Sequence, residues 1–230
     1  HAVGFGEALM WTSIWFSMSM AFAFWIAPAM VGEQWTGDHT KLFITGYVVE
    51  LSLSMDNVFV IALIFSFFRV PAEFQHRVLF WGILGALIMR AAMILLGASL
   101  IHQFHWILYL FGAFLLITGI KMLFAGDEEV EPEKNFAIRL ARKFYPVSTQ
   151  FDGQKFFTEL DGRRALTPLA LCLIMVETTD LIFAVDSIPA IFGITTEAFI
   201  VFTSNVFAIL GLRSLYFVLV GLLPVSYTHL

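Results

Sequence analysis

Residues 166–192, LTPLALCLIMVETTDLIFAVDSIPAIF, read as a membrane-spanning helix with three carboxylates on it, Glu177, Asp180 and Asp186. A helix needs about 20 mostly apolar residues to cross the hydrocarbon core, and acids apart, this run has that length and composition. Ionisable groups at such depth cost at least a few kcal/mol each, so each acid is a functional candidate. A second run, residues 41–66, carries Glu50 and Asp56 in a matching pattern. Glu50 and Asp180 stand 130 residues apart, as do Asp56 and Asp186, and both runs read acid-Leu-x-x-x-x-Asp-[Asn/Ser]-[Val/Ile].

Outward from these two runs, the chain is 59% hydrophobic and 13% charged over 230 residues, against roughly 45–50% and about 25% in soluble domains. Lipid is the solvent such a sequence calls for. Six spans are expected, near 8–31, 41–66, 78–100, 105–124, 166–192 and 198–222, giving an all-α polytopic transmembrane helical bundle. The acidic spans lie three apart and so cross in opposite directions, which makes the repeat inverted, an architecture usual in secondary transporters. A weaker echo pairs Ile83-Leu84-Gly85 with Ile209-Leu210-Gly211.

Lys and Arg concentrate in 67–77 and 125–165, which places both loops in the cytoplasm. Within the longer loop, Phe136, Leu140 and Phe144 line one face of a short helix lying on the membrane. The acidic run from Asp127 to Glu133 reads as a solvated linker or a cation-collecting segment. Asp152-Gly153 and Asp161-Gly162 are turn signals, with Phe156 to Leu160 a strand between them. Residues 1–223 form one membrane transport domain that reads as an interior fragment. The pattern breaks at Pro224, and 224–230 reads as a tail foreign to it. The net charge of −5 excludes a basic nucleic-acid binder, and the lone Cys172 excludes a disulfide framework.

Near the depth of the five acids only Arg90 and Arg213 can pair with them, while Lys121 reaches for the membrane edge. Five acids against two arginines require a bound cation, protonation or water. The bland alternative is that the acids only hold helices together. Six residues advance a regular helix by about 600°, so Glu50 and Asp56 point about 120° apart unless the helix breaks. Pro189 is the candidate hinge for a broken fifth span, its alternative being an ordinary kink. Carboxylate, amide and hydroxyl oxygens suit Mg²⁺, Ca²⁺ and Mn²⁺. The expected ligands are Glu50, Asp56, Asn57, Glu177, Asp180, Asp186 and Ser187, with Asp56 and Asp186 as the leading equivalent pair and Glu50 and Asp180 as a milder one. His102 and His105 read as polar trim, and Met55 and Met175 as packing residues.

The stretches Thr45 to Glu50, Ser54 to Phe59, Glu177 to Ala190 and Thr203 to Arg213 resemble the TerC family of bacterial integral membrane proteins, and within it the Alx-like branch. The resemblance runs from about residue 8 to 223. It implies a role in manganese export, with the matching acids as metal ligands, and further spans before residue 8 and after 223 in full-length relatives. The expected function is therefore export of a divalent cation, manganese first, by alternating access and without enzymatic chemistry. No cofactor is bound permanently; Mn²⁺ is the cargo, and the partners are that ion and the bilayer. The rivals are an intramembrane aspartyl protease using Asp56 and Asp186, and a membrane scaffold that loads manganese into other proteins. The loop charges make a first prediction: cysteines placed at Gln75 and Gln154 resist an impermeant thiol reagent applied to intact cells. Ready labelling of both reverses the orientation.

Overall fold

Once in lipid, a backbone can satisfy its N–H and C=O groups only within its own helix, and the apolar runs fold accordingly. The computed structural model of the chain describes residues 4–124 and 134–227. Helix α1 (Phe5–Ala21) continues through a π-helical turn, Phe22–Ile26, into α2 (Ala27–Val31). Pro28 explains the wide turn, because its ring crowds the carbonyl four residues back and it has no N–H to donate. Gly32, at φ 72°, ends this segment. Then follow α3 (Gly37–Phe67), α4 (Ala72–Gln103), α5 (Ile107–Phe124), the short α6 (Phe136–Phe144), strands β1 (Phe157–Leu160) and β2 (Arg163–Leu166), α7 (Pro168–Phe192) and α8 (Ala198–Tyr227).

Among the described residues, five segments are long and apolar enough to cross a membrane: Phe5–Gln34, α3, α4, α7 and α8. The sixth expected span, α5, is shorter, with 18 residues, about 27 Å of helix. Each span falls where the sequence places it. Helix α8 runs on through Pro224 to Tyr227. The acidic run 127–133 lies outside the described residues.

Close packing at glycines gives the helix directions. A Cβ on Gly82 would meet Val176, and one on Gly97 would meet Phe192, so α4 and α7 run parallel. A Cβ on Gly46, near the start of α3, would meet Ser204 near the start of α8 and Ile191 near the end of α7. Helix α3 is therefore parallel to α8 and antiparallel to α7. The α3–α4 and α7–α8 pairs interlock in opposite senses, as an inverted repeat requires. Large apolar side chains such as Trp25, Ile88, Leu95, Leu96 and Ile182 face outward, the arrangement expected where the surrounding medium is lipid.

The polar connection forms a small docked unit. Asp161 and Gly162 both have positive φ, 51° and 72°, which suits the two-residue hairpin turn joining β1 to β2. The strand starts at Phe157, within the stretch read from the sequence. The Arg77 guanidinium lies 5.3 Å from the Phe156 ring, and Gln154 Nε2 donates to the Glu73 carbonyl at 3.3 Å. The two basic loops thus meet at one end of the bundle.

The contact at Gly97 yields a prediction. An added Cβ would lie 2.8 Å from Cε2 of Phe192, a ring only 2% exposed. Gly97→Ala should cost about 1–3 kcal/mol through overpacking and lower the thermal midpoint in detergent. Gly119→Ala, with nothing within 4 Å, should not. Equal midpoints for both variants would contradict the packing described.

Candidate functional site

The acid-bearing faces of α3 and α7 turn towards each other, and Arg90 of α4 comes between them. Glu50 is 0% exposed, Arg90 2% and Asp180 5%. The guanidinium spans both carboxylates: Nη1 donates to Glu50 Oε1 in an ion pair, Nη2 donates to Asp180 Oδ1 at 2.9 Å, and Nε reaches Asp180 Oδ2 at 3.4 Å. Nη1 also donates to Asn205 Oδ1 of α8 at 2.8 Å and approaches Ser187 Oγ at 3.4 Å. Ser54 Oγ donates to Glu50 Oε1 at 3.1 Å, and Asn57 Nδ2 to Asp180 Oδ1 at 2.9 Å. Four helices meet in one polar knot.

Helical geometry selects these residues. Seven positions advance a helix by about 700°, within about 20° of two full turns. Glu50 and Asn57 therefore share a face of α3, and Asp180 and Ser187 share a face of α7. Both helices are continuous, so the six-residue spacing sends Asp56 and Asp186 about 120° away from Glu50 and Asp180. Asp56 is exposed. Asp186 is half-buried, with Lys121 of α5 as its charged neighbour. This corrects the expectation that Asp56 and Asp186 converge as the leading pair; Glu50 and Asp180 converge instead. Pro189 is also corrected as a hinge. It lies in the last turn of α7, which is unbroken from Pro168 to Phe192, so the missing N–H falls where the helix is about to end.

Glu177 sits one turn from Asp180 on α7, its half-buried carboxylate occupying the space that a side chain at Gly85 of α4 would fill. It makes no hydrogen bond or ion pair among the described residues. Arg213 likewise forms no ion pair there, contrary to the pairing expected of it. It borders two cavities instead, one of about 510 Å³ shared with Glu7 and Trp15, and one of about 30 Å³ shared with Asn57 and Asp180. Asn57 Oδ1, buried beside the smaller cavity, has no hydrogen-bond partner among the described residues. A cavity of that size has room for a water or an ion. Among the described residues no three His, Cys, Asp or Glu side chains stand close enough to hold a metal ion as they are. Met175 is a core residue and accepts Asn135 Nδ2 at 3.2 Å, while His102 and His105 are exposed.

Sequence reasoning missed Asn205 and Ser54 as members of the knot. Asn205 had a readable signal, an amide deep inside an apolar span. Ser54 had its four-residue spacing from Glu50.

Comparison with known proteins places this arrangement. Residues 35–228 match the family described as integral membrane protein TerC. A Myxococcus xanthus membrane protein designated STKORF319, uncharacterised, is 51% identical over 223 residues, which cover 96% of this chain and 68% of that protein. An Escherichia coli K12 protein named for a membrane-bound redox modulator, Alx, is 48% identical over 224 residues, 96% of this chain and 70% of its own length. A Rickettsia bellii membrane protein, also uncharacterised, is 40% identical over 219 residues. No solved structure matches the chain.

The knot makes a sharp prediction. Arg90→Leu leaves two buried carboxylates without a counter-charge, which should cost about 3–5 kcal/mol and sharply reduce the yield of folded, inserted protein. Arg90→Lys keeps the charge but loses the planar fork and should fall between. Wild-type yield and thermal midpoint for Arg90→Leu would show that the ion pairs contribute nothing.

Proposed function

Because the chain belongs to the TerC family of integral membrane proteins, we propose that it exports a hard divalent cation, manganese in particular, through the knot between the two inverted helix pairs. One observation carries this reading. Glu50 and Asp180 flank a single cation, Arg90, and Glu177 stands one turn from Asp180, leaving two negative charges when all three acids are ionised, the charge a divalent ion neutralises. Asn57 Oδ1 adds an unpartnered oxygen beside Asp180, and an all-oxygen donor set favours manganese, magnesium or calcium over softer metals.

In the arrangement described, Arg90 occupies the place an ion would take. An entering cation competes with the guanidinium for Asp180 and Glu50, and the release of Arg90 lets α4 shift against α7 between the two states of alternating access. Metal binding needs the carboxylates deprotonated, which gives exchange against protons a physical basis. Asp56 and Asp186, away from the knot, serve as steps on the approach to it. The bundle end bearing α6 and the hairpin faces the cytoplasm of a bacterial inner membrane, by its Lys and Arg content.

The rival protease reading asks for two carboxylates sharing one proton, and Arg90 intervenes between the two that meet here. A scaffold that hands manganese to other proteins would use the same knot without moving the ion across. The redox role in the relatives' name has one thiol to draw on in this chain, Cys172, which is buried.

Full-length protein in inside-out vesicles tests the proposal through manganese uptake, normalised to inserted protein. Glu50→Gln and Asp180→Asn should each reduce uptake roughly tenfold or more, the equivalent of about 1.4 kcal/mol. Asp56→Asn and Asp186→Asn should reduce it less. Undiminished uptake by both Glu50→Gln and Asp180→Asn contradicts the proposal. Absence of uptake by wild-type protein in liposomes, with manganese binding retained, favours the scaffold.

A further inference from the structure

Helix α6 divides its circumference into three sectors, one of which packs against the core of the bundle. At 100° per residue, Phe136, Leu140 and Phe144 span about 80° of arc, Ala141 and Ile138 take the next ~120°, and Arg142, Arg139 and Lys143 complete the circle. Ile138 is fully buried, in one core with Leu169 and Cys172 of α7, and Ala141 packs against that core. The adjoining apolar sector is open: Phe136 is 74% exposed, Leu140 44% and Phe144 69%. The helix is thus an apolar wedge with one wall against α7 and the other uncovered.

Its depth is fixed by a side-chain contact. Asn135, the N-cap of α6, donates from Nδ2 to Sδ of Met175, and Met175 lies seven residues beyond the start of α7, about 10 Å along its axis. Amphipathic helices at a membrane surface bury their apolar face about 5–10 Å into the boundary between headgroups and acyl chains. The open sector is therefore level with the first two turns of α7, within that depth of the membrane boundary. The charge is complementary to lipid phosphate. Residues 134–164 hold seven basic side chains against three acidic ones, and Arg139, Lys143, Arg163 and Arg164 are all exposed.

We infer that α6 is an anionic-lipid-binding element, its Phe136, Leu140 and Phe144 face inserted in the leaflet beside α7 while Arg139 and Lys143 hold lipid phosphates. Because Ile138 seats α6 on the helix that carries Glu177 and Asp180, the charge of this leaflet acts on the mounting of that helix. The inference stands on the packing of α6 and is independent of what the bundle transports.

The test uses full-length protein in nanodiscs of phosphatidylcholine with and without phosphatidylglycerol. An environment-sensitive fluorophore is attached at Leu140→Cys or Arg139→Cys, the buried Cys172 being left in place. At position 140 emission should be quenched by doxyl-labelled lipids and shielded from iodide; at position 139 iodide should quench it. Iodide quenching at 140 would put the face in water, and quenching by neither would mean that protein covers it; either result overturns the inference. Spin-labelled lipid retained by the protein measures the charge component. Arg139→Gln with Lys143→Gln should lower the preference for phosphatidylglycerol over phosphatidylcholine roughly fivefold or more, and an unchanged preference would overturn the anionic-lipid assignment.

Discussion

A guanidinium held between two carboxylates at membrane depth is the constraint on which the bundle depends. Removing Arg90 leaves two carboxylates buried without a counter-charge, so Glu50 and Asp180 can be buried together only with the guanidinium between them. Three helices are tied by that requirement, and Asn205 brings in α8 through Arg90 and, at 3.4 Å, Glu50 Oε2. Glycine contacts between α4 and α7, and between α3 and α8, let the backbones approach closely enough for the charges to meet. Close approach at small residues is how helices associate where the hydrophobic effect offers nothing between them.

The same arithmetic explains why the repeat is visible in the sequence but its inward-facing members are not. A constant offset of 130 residues pairs Glu50 with Asp180 and Asp56 with Asp186 equally well. Only the rotation along an unbroken helix separates the two pairs, and the presence of Pro189 argued for a break that would have brought both inward. The proline sits close enough to the end of α7 that the helix tolerates it. The partners seven residues on, Asn57 and Ser187, were legible as neighbours of the aspartates; their more informative relation is to Glu50 and Asp180, two turns away.

Spans and loops were readable because they rest on length and composition, which no tertiary contact overrides in lipid. The hairpin was readable because Asp161-Gly162 suits positive φ at both residues. The π-helical turn before Pro28 and the seat for Glu177 at Gly85 were not: the first depends on how a helix absorbs a ring clash, the second on two helices meeting at one level. Arg213 shows the limit of counting charges. It was assigned a partner because acids outnumber bases, yet it borders cavities, and Glu177, the acid one turn from Asp180, likewise has no partner among the described residues.

If the knot handles a divalent ion, the unpaired oxygen of Asn57 and the carboxylate of Asp180 mark where that ion first displaces the guanidinium. Anomalous diffraction from crystals of the full-length protein grown with manganese locates the ion without reference to transport. The account predicts a manganese peak within about 2.5 Å of Asp180, with Arg90 withdrawn from at least one of its carboxylates. A manganese peak elsewhere, with Arg90 still bridging Glu50 and Asp180, would contradict it.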